Sequence, residues 1–196
     1  MAFEPDDTEL AVFVTNSNHI EGIWAGPTDK LYFGHHVAAA KFVRSAKALL
    51  PIDGLQAMIM FTQLEAWQLP GDYRTETASF GYRDMPLPHA VRVLMTIWHE
   101  ECSKLLEHYA AVQLGGDELA AAIVRLHSFA LCVHPFPDGN GRTFRLFFNH
   151  LRQRCGLPWI LFDPQTDEWH TLLAELRDYE TRVFRPTYAW AYLPAT

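Results

Sequence analysis

The sequence predicts an all-α domain that carries one short β-hairpin. Apolar residues recur at helical spacing through most of the 196-residue chain, as Phe144, Phe147 and Leu151 illustrate. Residues 71–81 differ, because turn residues there lead into a β-prone stretch that fits a single hairpin. Hydrophobic residues make up 49% of the chain, which is enough for a packed core, so we expect one domain over residues 1–196.

The helix boundaries follow from capping residues and helix breakers. Asp53 and Asp117 suit helix starts, whereas Gly22 and Pro51 suit helix ends. The predicted helices cover residues 7–13, 17–22, 31–50, 53–67, 86–109, 117–133, 142–152 and 167–184. No repeat or linker interrupts them, which supports a single domain.

Composition limits the classes of partner. The formal net charge is −7 and the isoelectric point about 5.8. A general nucleic-acid or membrane-surface binder would show a basic face, so we expect neither partner. The sequence also lacks a membrane-spanning apolar run and a signal-peptide pattern, so we expect a cytoplasmic protein. Cys102, Cys132 and Cys155 are predicted to be buried free thiols.

Residues 134–145 hold the most informative set of polar side chains. Proline, aspartate and two glycines follow His134 and predict a tight turn, after which the helix of residues 142–152 begins. Arg142 and Arg145 therefore lie near a helix N-terminus, which itself carries partial positive charge. This arrangement predicts a bound anion at the turn.

The chemistry of the turn points to nucleotide phosphates. The glycines around Asn140 would let backbone amides approach a phosphate closely. Asp138 suits a magnesium ion shared with phosphate oxygens. His134 has a reference pKa near neutrality and can act as a general base.

The same segment resembles the signature of the Fic family, written loosely as H-P-F-x-[DE]-G-N-G-R-x-x-R, and every fixed position is filled. The resemblance covers nearly the whole chain and implies a Fic-type helical domain that transfers AMP from ATP to a Ser, Thr or Tyr hydroxyl of a protein. It implies that His134 is the base and that Asp138 holds Mg²⁺. The implied nucleotide-phosphate ligands are the amides of Gly139, Asn140 and Gly141, the side chain of Asn140, and Arg142 and Arg145.

A second pattern lies towards the N-terminus. Ser17, Glu21 and Gly22 fit [ST]-x-x-x-E-[GN], the pattern of an inhibitory helix in one class of Fic proteins, here at about residues 10–25. Glu21 would then pair with Arg145 and occupy the guanidinium fork that would otherwise hold the γ-phosphate of ATP. On composition alone, Glu21 would be read as a solvated carboxylate near a helix end.

The hairpin also acquires a role from the resemblance. In Fic proteins a hairpin called the flap aligns the target polypeptide by strand-like backbone contacts. The residues implied here are Thr75, Glu76, Thr77, Ala78 and Ser79. The strand composition itself is not specific, and a surface hairpin without this role stays the alternative.

Several alternatives remain open at this point. The protein could remove AMP from a target with Glu21 orienting a water, or it could transfer UMP, phosphocholine or phosphate. A non-enzymatic nucleotide-binding module is a third possibility. The identity of the target is also open, with the protein itself as one candidate, and so is the formation of a homodimer. We expect His35, His36 and His127 to be packing residues rather than metal ligands.

Overall fold

The computed structural model describes residues 6–24, 28–60, 71–80, 83–112 and 115–194. It confirms an all-α fold with one short hairpin. The helices are α1 (Asp7–Ile20), α2 (His35–Ser45), α3 (Ile52–Met60), α4 (Pro88–Val112), α5 (Gly116–Val133), α6 (Asn140–Arg154), α7 (Asp167–Tyr179) and α8 (Arg185–Thr187). The hairpin strands are β1 (Ser79–Phe80) and β2 (Arg83–Asp84).

Helix α6 lies at the centre of the core. Nearly all of its residues up to Leu151 are buried, and it packs against α1, α2, α3 and α5. Trp98 of α4 packs its ring on Phe144 and Phe147 of α6 and donates its indole N–H to the Leu126 carbonyl at 2.8 Å. Because the core surrounds α6, the turn that precedes it is held from several sides.

Helix α1 is continuous, whereas the sequence predicted two short helices over residues 7–13 and 17–22. Asp6 caps it with a reciprocal capping box to Glu9, so the helix starts firmly. Ser17 is buried inside the helix rather than capping a second one. The prediction was wrong because Ser17 bonds a distant side chain instead of the backbone amides that follow it.

The prediction of one helix over residues 31–50 was also wrong. A π-helical turn (Lys30–Gly34) precedes α2, which ends at Ser45. The chain then runs extended, and the Leu50 amide donates to His150 Nε2 of α6 at 3.2 Å.

Two predicted N-caps are displaced. Asp53 and Asp117 lie in the first turns of α3 and α5, where a carboxylate still complements the helix dipole. Gly115 is the N-cap of α5. Residues 61–67 of the predicted helix 53–67 lie outside the described residues.

The hairpin lies later than predicted. Ser79 pairs with Asp84 and Phe80 with Arg83, and the Met85 amide donates to the Ala78 carbonyl at 3.0 Å. The second strand thus falls beyond the predicted limit of residue 81. Residues 71–78 form no strand.

The cysteine prediction is confirmed, since Cys102, Cys132 and Cys155 are free and buried. Among the helices of the described ranges, none combines the length and the apolar character needed to cross a membrane.

Candidate active site

His134 lies in the loop between α5 and α6. It is the C-terminal cap of α5 and takes the left-handed backbone conformation, with φ of 49°. Its amide donates to the Ala130 carbonyl at 3.0 Å. Phe136 then turns into the core, fully buried between the rings of Tyr73 and Phe144. The half-buried His134 ring is therefore attached to a well-anchored backbone.

Asn140 holds the shape of this loop. Its Oδ1 accepts from the Phe136 amide at 2.9 Å, and its Nδ2 donates to the Phe136 carbonyl at 2.8 Å. A buried peptide needs such partners in place of water. The sequence placed both the side chain and the amide of Asn140 at the phosphates. Because the side chain is bound to Phe136, the main-chain amide is the group left for that predicted role.

Gly139 is required at the turn by conformation and by space. Its φ is 76°, and a Cβ there would lie 2.6 Å from the sulfur of the buried Met60. As the N-cap of α6 it offers no side chain, so the first amides of the helix remain available to an anion. Its own amide donates to Asp138 Oδ1 at 2.5 Å, so a direct phosphate contact of Gly139 stays a prediction.

Asp138 presents its carboxylate to solvent at the edge of the turn. Its side chain is 63% exposed, and its Oδ2 lies 3.8 Å from Arg142 Nη2. Buried Gln56 supports the backbone behind it, since Gln56 Nε2 donates to the Asp138 carbonyl at 3.1 Å and Gln56 Oε1 accepts from the Gly71 amide at 2.6 Å. This contact links α3, the turn and the start of the hairpin segment.

Arg145 points from α6 to the end of α1. Its Nε donates to Ser17 Oγ at 3.0 Å, and its Nη2 donates to the Ser17 carbonyl at 2.8 Å and to Glu21 Oε1 at 2.6 Å. The structure therefore brings together Glu21 and Arg145, which the family pattern predicted to meet, and shows Ser17 as a further partner of Arg145 that was not predicted. The carboxylate offsets the cation that the sequence placed unfavourably near the helix N-terminus.

Glu21 lies directly in front of the first turn of α6. It is the C-terminal cap of α1, and Gly22 follows with φ of 74°. The Gly22 amide donates to His19 and the Ile23 amide to Asn18, which is the Schellman arrangement. A Cβ on Gly141 would overlap Glu21 Oε1. The carboxylate thus lies at the N-terminus of α6, where the sequence predicts a bound anion.

Arg74 connects the hairpin segment to His134. Its Nε donates to the His134 carbonyl at 2.7 Å, its Nη1 to the Glu76 carbonyl at 2.8 Å and its Nη2 to the Pro86 carbonyl at 2.5 Å. The Arg74 amide donates to the Pro135 carbonyl at 2.8 Å. A buried guanidinium is therefore satisfied by backbone carbonyls. It holds the predicted target-binding residues beside the histidine.

Comparison with known proteins decides the family. A sequence model of the Fic/DOC family matches residues 52–151. The chain belongs to the Fic/DOC family. Members of this family are commonly transferases that carry out AMPylation or a related transfer.

Solved Fic proteins share the fold. A Fic-domain signalling protein from Bacteroides thetaiotaomicron aligns with a TM-score of 0.67 and 20% identity, over 89% of this chain and 73% of that chain. A Fic-1 fragment from C. elegans, which carries a glutamate-to-glycine substitution, aligns with a TM-score of 0.56 and 22% identity. That match covers 95% of this chain and 59% of the C. elegans chain.

The Fic site keeps His134 uncharged near neutral pH. Burial lowers the pKa of His134 to about 4, and the positive charge of Arg74 acts in the same direction. Glu21 and Asp138 oppose this shift, which shows that both carboxylates lie within electrostatic reach of the ring. A neutral imidazole can accept a proton, as a general base must.

A buried polar network supports the Arg145 contacts from behind. Asn18 Nδ2 donates to the Tyr32 carbonyl at 3.1 Å, and Asn18 Oδ1 lies 3.2 Å from His36 Nδ1. Since Oδ1 can only accept, His36 donates from Nδ1. Burial, followed by the charges of Arg142 and Arg145, lowers the pKa of His36 well below its usual value. His36 is therefore a neutral core residue, as the sequence predicted, and it orients the residue next to Ser17.

Of the residues implied for target binding, Thr75, Glu76, Thr77 and Ser79 are exposed and Ala78 is half-buried. Only Ser79 lies in a strand. The residues that the sequence did not reveal are the supporting ones, Gln56, Met60 and Arg74. An arginine inside an otherwise β-prone stretch was the available signal for Arg74, because buried arginines are rare unless they are bonded.

Proposed function

We propose that this protein transfers AMP from ATP to a Ser, Thr or Tyr hydroxyl of a target protein, and that Glu21 restrains the reaction. One observation carries the proposal. A carboxylate sits against Gly141 and 2.6 Å from Arg145 Nη2, at the N-terminus of α6. A position at a helix N-terminus where a guanidinium already binds one anion suits a phosphate group.

His134 would take the proton from the attacking hydroxyl. The hydroxyl oxygen would bond to the α-phosphorus, the bond from that phosphorus to the bridging oxygen would break, and pyrophosphate would leave. His134 is suited to this because its ring is neutral and its backbone is fixed by Ala130 and Arg74. Positioning of this kind lowers the barrier separately from proton transfer.

The phosphates would be held by the first amides of α6 with Arg142 and Arg145. Both guanidinium groups are buried, and their pKa values are lowered chiefly by that burial yet raised by the nearby carboxylates. A desolvated guanidinium binds a phosphate more strongly than an exposed one. Arg145 would bind the γ-phosphate once Glu21 moves away.

Asp138 fits a magnesium ion. It is an exposed carboxylate beside the anion-binding turn, and magnesium commonly takes one or two carboxylates with phosphate oxygens. When bound, Mg²⁺ would offset charge on the phosphates.

The direct test compares wild-type protein with Glu21→Gly in the presence of α-labelled ATP, Mg²⁺ and the proteins of a cell extract. We expect protein-bound label to rise at least about tenfold, because the substitution frees the Arg145 fork. His134→Ala in the Glu21→Gly background should abolish the label and retain ATP binding. Label that is equal in wild type and Glu21→Gly would overturn the restraint, and label that survives His134→Ala would overturn the assignment of the base.

Removal of AMP is a second candidate reaction, and the position of Glu21 favours it. Glu21 binds Arg145 through Oε1, its side chain is 34% exposed, and it lies within electrostatic reach of His134. Glu21 could orient a water that attacks the phosphorus and gives its proton to His134. The bond from the phosphorus to the target oxygen would break, and His134 would pass that proton to the departing oxygen. Release of labelled AMP from a modified target by wild type, but not by Glu21→Gly, would favour removal over transfer.

A further inference from the structure

A polar groove of about 650 Å³ lies beside strand β2 of the hairpin. We call it the β2 groove. Its walls come from β2, from α7, from the π-helical turn (Glu180–Phe184) that follows α7, and from α8. The lining residues are Arg83, Asp84, Arg177, Glu180, Thr181 and Arg185.

Glu180 is the fixed centre of the β2 groove. Its side chain is 9% exposed, its Oε2 pairs with Arg83, and its Oε1 lies 3.2 Å from Arg185 Nη2. Arg185 also donates to the Asp84 carbonyl at 3.0 Å. One buried carboxylate therefore orients two guanidinium groups and ties the hairpin to the segment after α7.

The β2 groove has an unbalanced positive charge. Arg177 is exposed, and its guanidinium has no carboxylate within ion-pair distance among the described residues. The three arginines of the lining thus exceed its two carboxylates by one charge, on a chain whose net charge is −7. A local surplus of this sign attracts an anionic group.

The groove is also close to the proposed reaction site. Arg83 belongs to β2 itself and pairs in register with Phe80. Arg74 donates to the carbonyl of Pro86, just after β2, and to that of His134, so the strand that carries Arg83 is tied to the histidine loop. A polypeptide that lies along the hairpin would pass the groove.

We propose that the β2 groove binds an acidic side chain of the target polypeptide, on the hairpin side of the modified hydroxyl. This inference rests on the proposed transfer to a protein. A carboxylate fits better than a phosphate or a nucleic-acid strand, because the surplus is one charge and Glu180 and Asp84 would repel a multiply charged group. The groove would thereby select targets by charge, whereas backbone contacts with the hairpin would not select among side chains.

The test is peptide binding measured by fluorescence anisotropy at low ionic strength. The probes are a fluorescein-labelled peptide of alternating glutamate and serine and its glutamine counterpart. We expect the glutamate peptide to bind at least about tenfold more tightly, and Arg177→Glu to remove that preference. Lys47→Glu, an exposed residue on the segment after α2, makes the same change in net charge and should leave the preference intact.

The other outcomes overturn the proposal. They are equal binding of the two peptides, equal weakening by Arg177→Glu and Lys47→Glu, and binding of inorganic phosphate or an oligonucleotide through Arg177 in preference to the peptide. The same peptides with Glu21→Gly protein and labelled ATP separate the two proposals. Peptide binding through Arg177 without any label would overturn the transfer alone. Equal label on both peptides, unaffected by Arg177→Glu, would overturn the groove alone.

Discussion

Glu21 Oε1 lies 2.6 Å from Arg145 Nη2 and in the space that a Cβ on Gly141 would fill, so one carboxylate covers both a guanidinium and the first turn of α6. Glu21 and Arg145 are 124 positions apart in the chain. The proposed anion-binding position can therefore be tested by substituting the residues that surround it.

Gly141→Ala should weaken ATP binding whether or not Glu21 is present. The added Cβ would overlap the carboxylate position and lie 2.9 Å from Arg145 Nη1, so any anion there would be displaced. In the Glu21→Gly background we expect ATP affinity to fall by about tenfold or more, near 1.4 kcal/mol, by calorimetry. Unchanged affinity would show that ATP phosphates lie elsewhere. Gly116→Ala, at a glycine with open space around its Cα, is the matched control.

Asn140→Ala should destabilise the fold by about 2–4 kcal/mol, because it leaves the buried amide and carbonyl of Phe136 without their partner. Urea unfolding followed by circular dichroism measures this loss. Asn16→Ala removes one partly buried bond, to the Leu161 carbonyl, and should cost about 1 kcal/mol. Equal losses for the two variants would contradict the role given to Asn140.

Gly139→Ala should be rescued in part by Met60→Ala. The single variant adds a clash with Met60 and backbone strain at φ of 76°. The double variant removes the clash and keeps the strain, which costs about 1–2 kcal/mol. A double-mutant cycle in urea should therefore give a favourable coupling energy, whereas strict additivity would show that the methionine yields freely.

Arg74→Lys should have a larger effect on the rate of AMP transfer than on the free energy of unfolding. A lysine cannot reach the carbonyls of His134, Glu76 and Pro86 together, so the histidine would lose its fixed position. In the Glu21→Gly background we expect kcat to fall by about 10²-fold, as small misplacements of reacting groups do. Arg92→Lys, which changes an exposed arginine over the Tyr73 ring, is the control and should retain kcat.

Buried histidines should make the fold sensitive to acid. Burial lowers the pKa of His127 to about 3 and that of His150 to about 4, with Arg145 and Arg154 acting in the same direction. Below about pH 6.5 the unfolded chain therefore binds more protons than the folded chain. These histidines leave the free energy of unfolding unchanged above that pH and decrease it as the pH falls towards 4. Each histidine should contribute a slope of about 1.4 kcal/mol per pH unit.

His127→Phe is the variant that tests this, because its ring already packs on Phe148 and Phe162. Urea unfolding at several pH values should show a smaller slope of the free energy of unfolding against pH, because the contribution of one histidine is removed. His170→Phe, whose ring is exposed in the folded protein, serves as the control. An unchanged slope in His127→Phe would show that another group governs the acid response.

The sequence was sufficient where chemistry is local. Spacing of Phe144, Phe147 and Leu151 predicted the buried helix α6, and the turn residues predicted its N-terminus. The meeting of Glu21 with Arg145 was also predicted, through a family pattern rather than through spacing. These features are encoded in short runs of residues.

Long-range partners were not predictable in the same way. Ser17 read as a helix start because its preference for capping is local, but a guanidinium from α6 binds it instead. The Asn140 side chain was predicted to bind the phosphates, but it bonds the backbone of Phe136 instead. Arg74 and Gln56 act on backbone atoms that no side-chain pattern marks.

Ser17 gives Arg145 a second anchor that does not depend on the carboxylate. We expect the guanidinium to keep its bonds to the hydroxyl and the carbonyl of Ser17 when Glu21 moves away, because both groups belong to the body of α1. The arginine is thus already immobilised, and its rotamer freedom would not have to be lost again when a phosphate arrives. In the proposed scheme, activation requires only that the Glu21 side chain rotates away, while the Arg145 guanidinium stays in place.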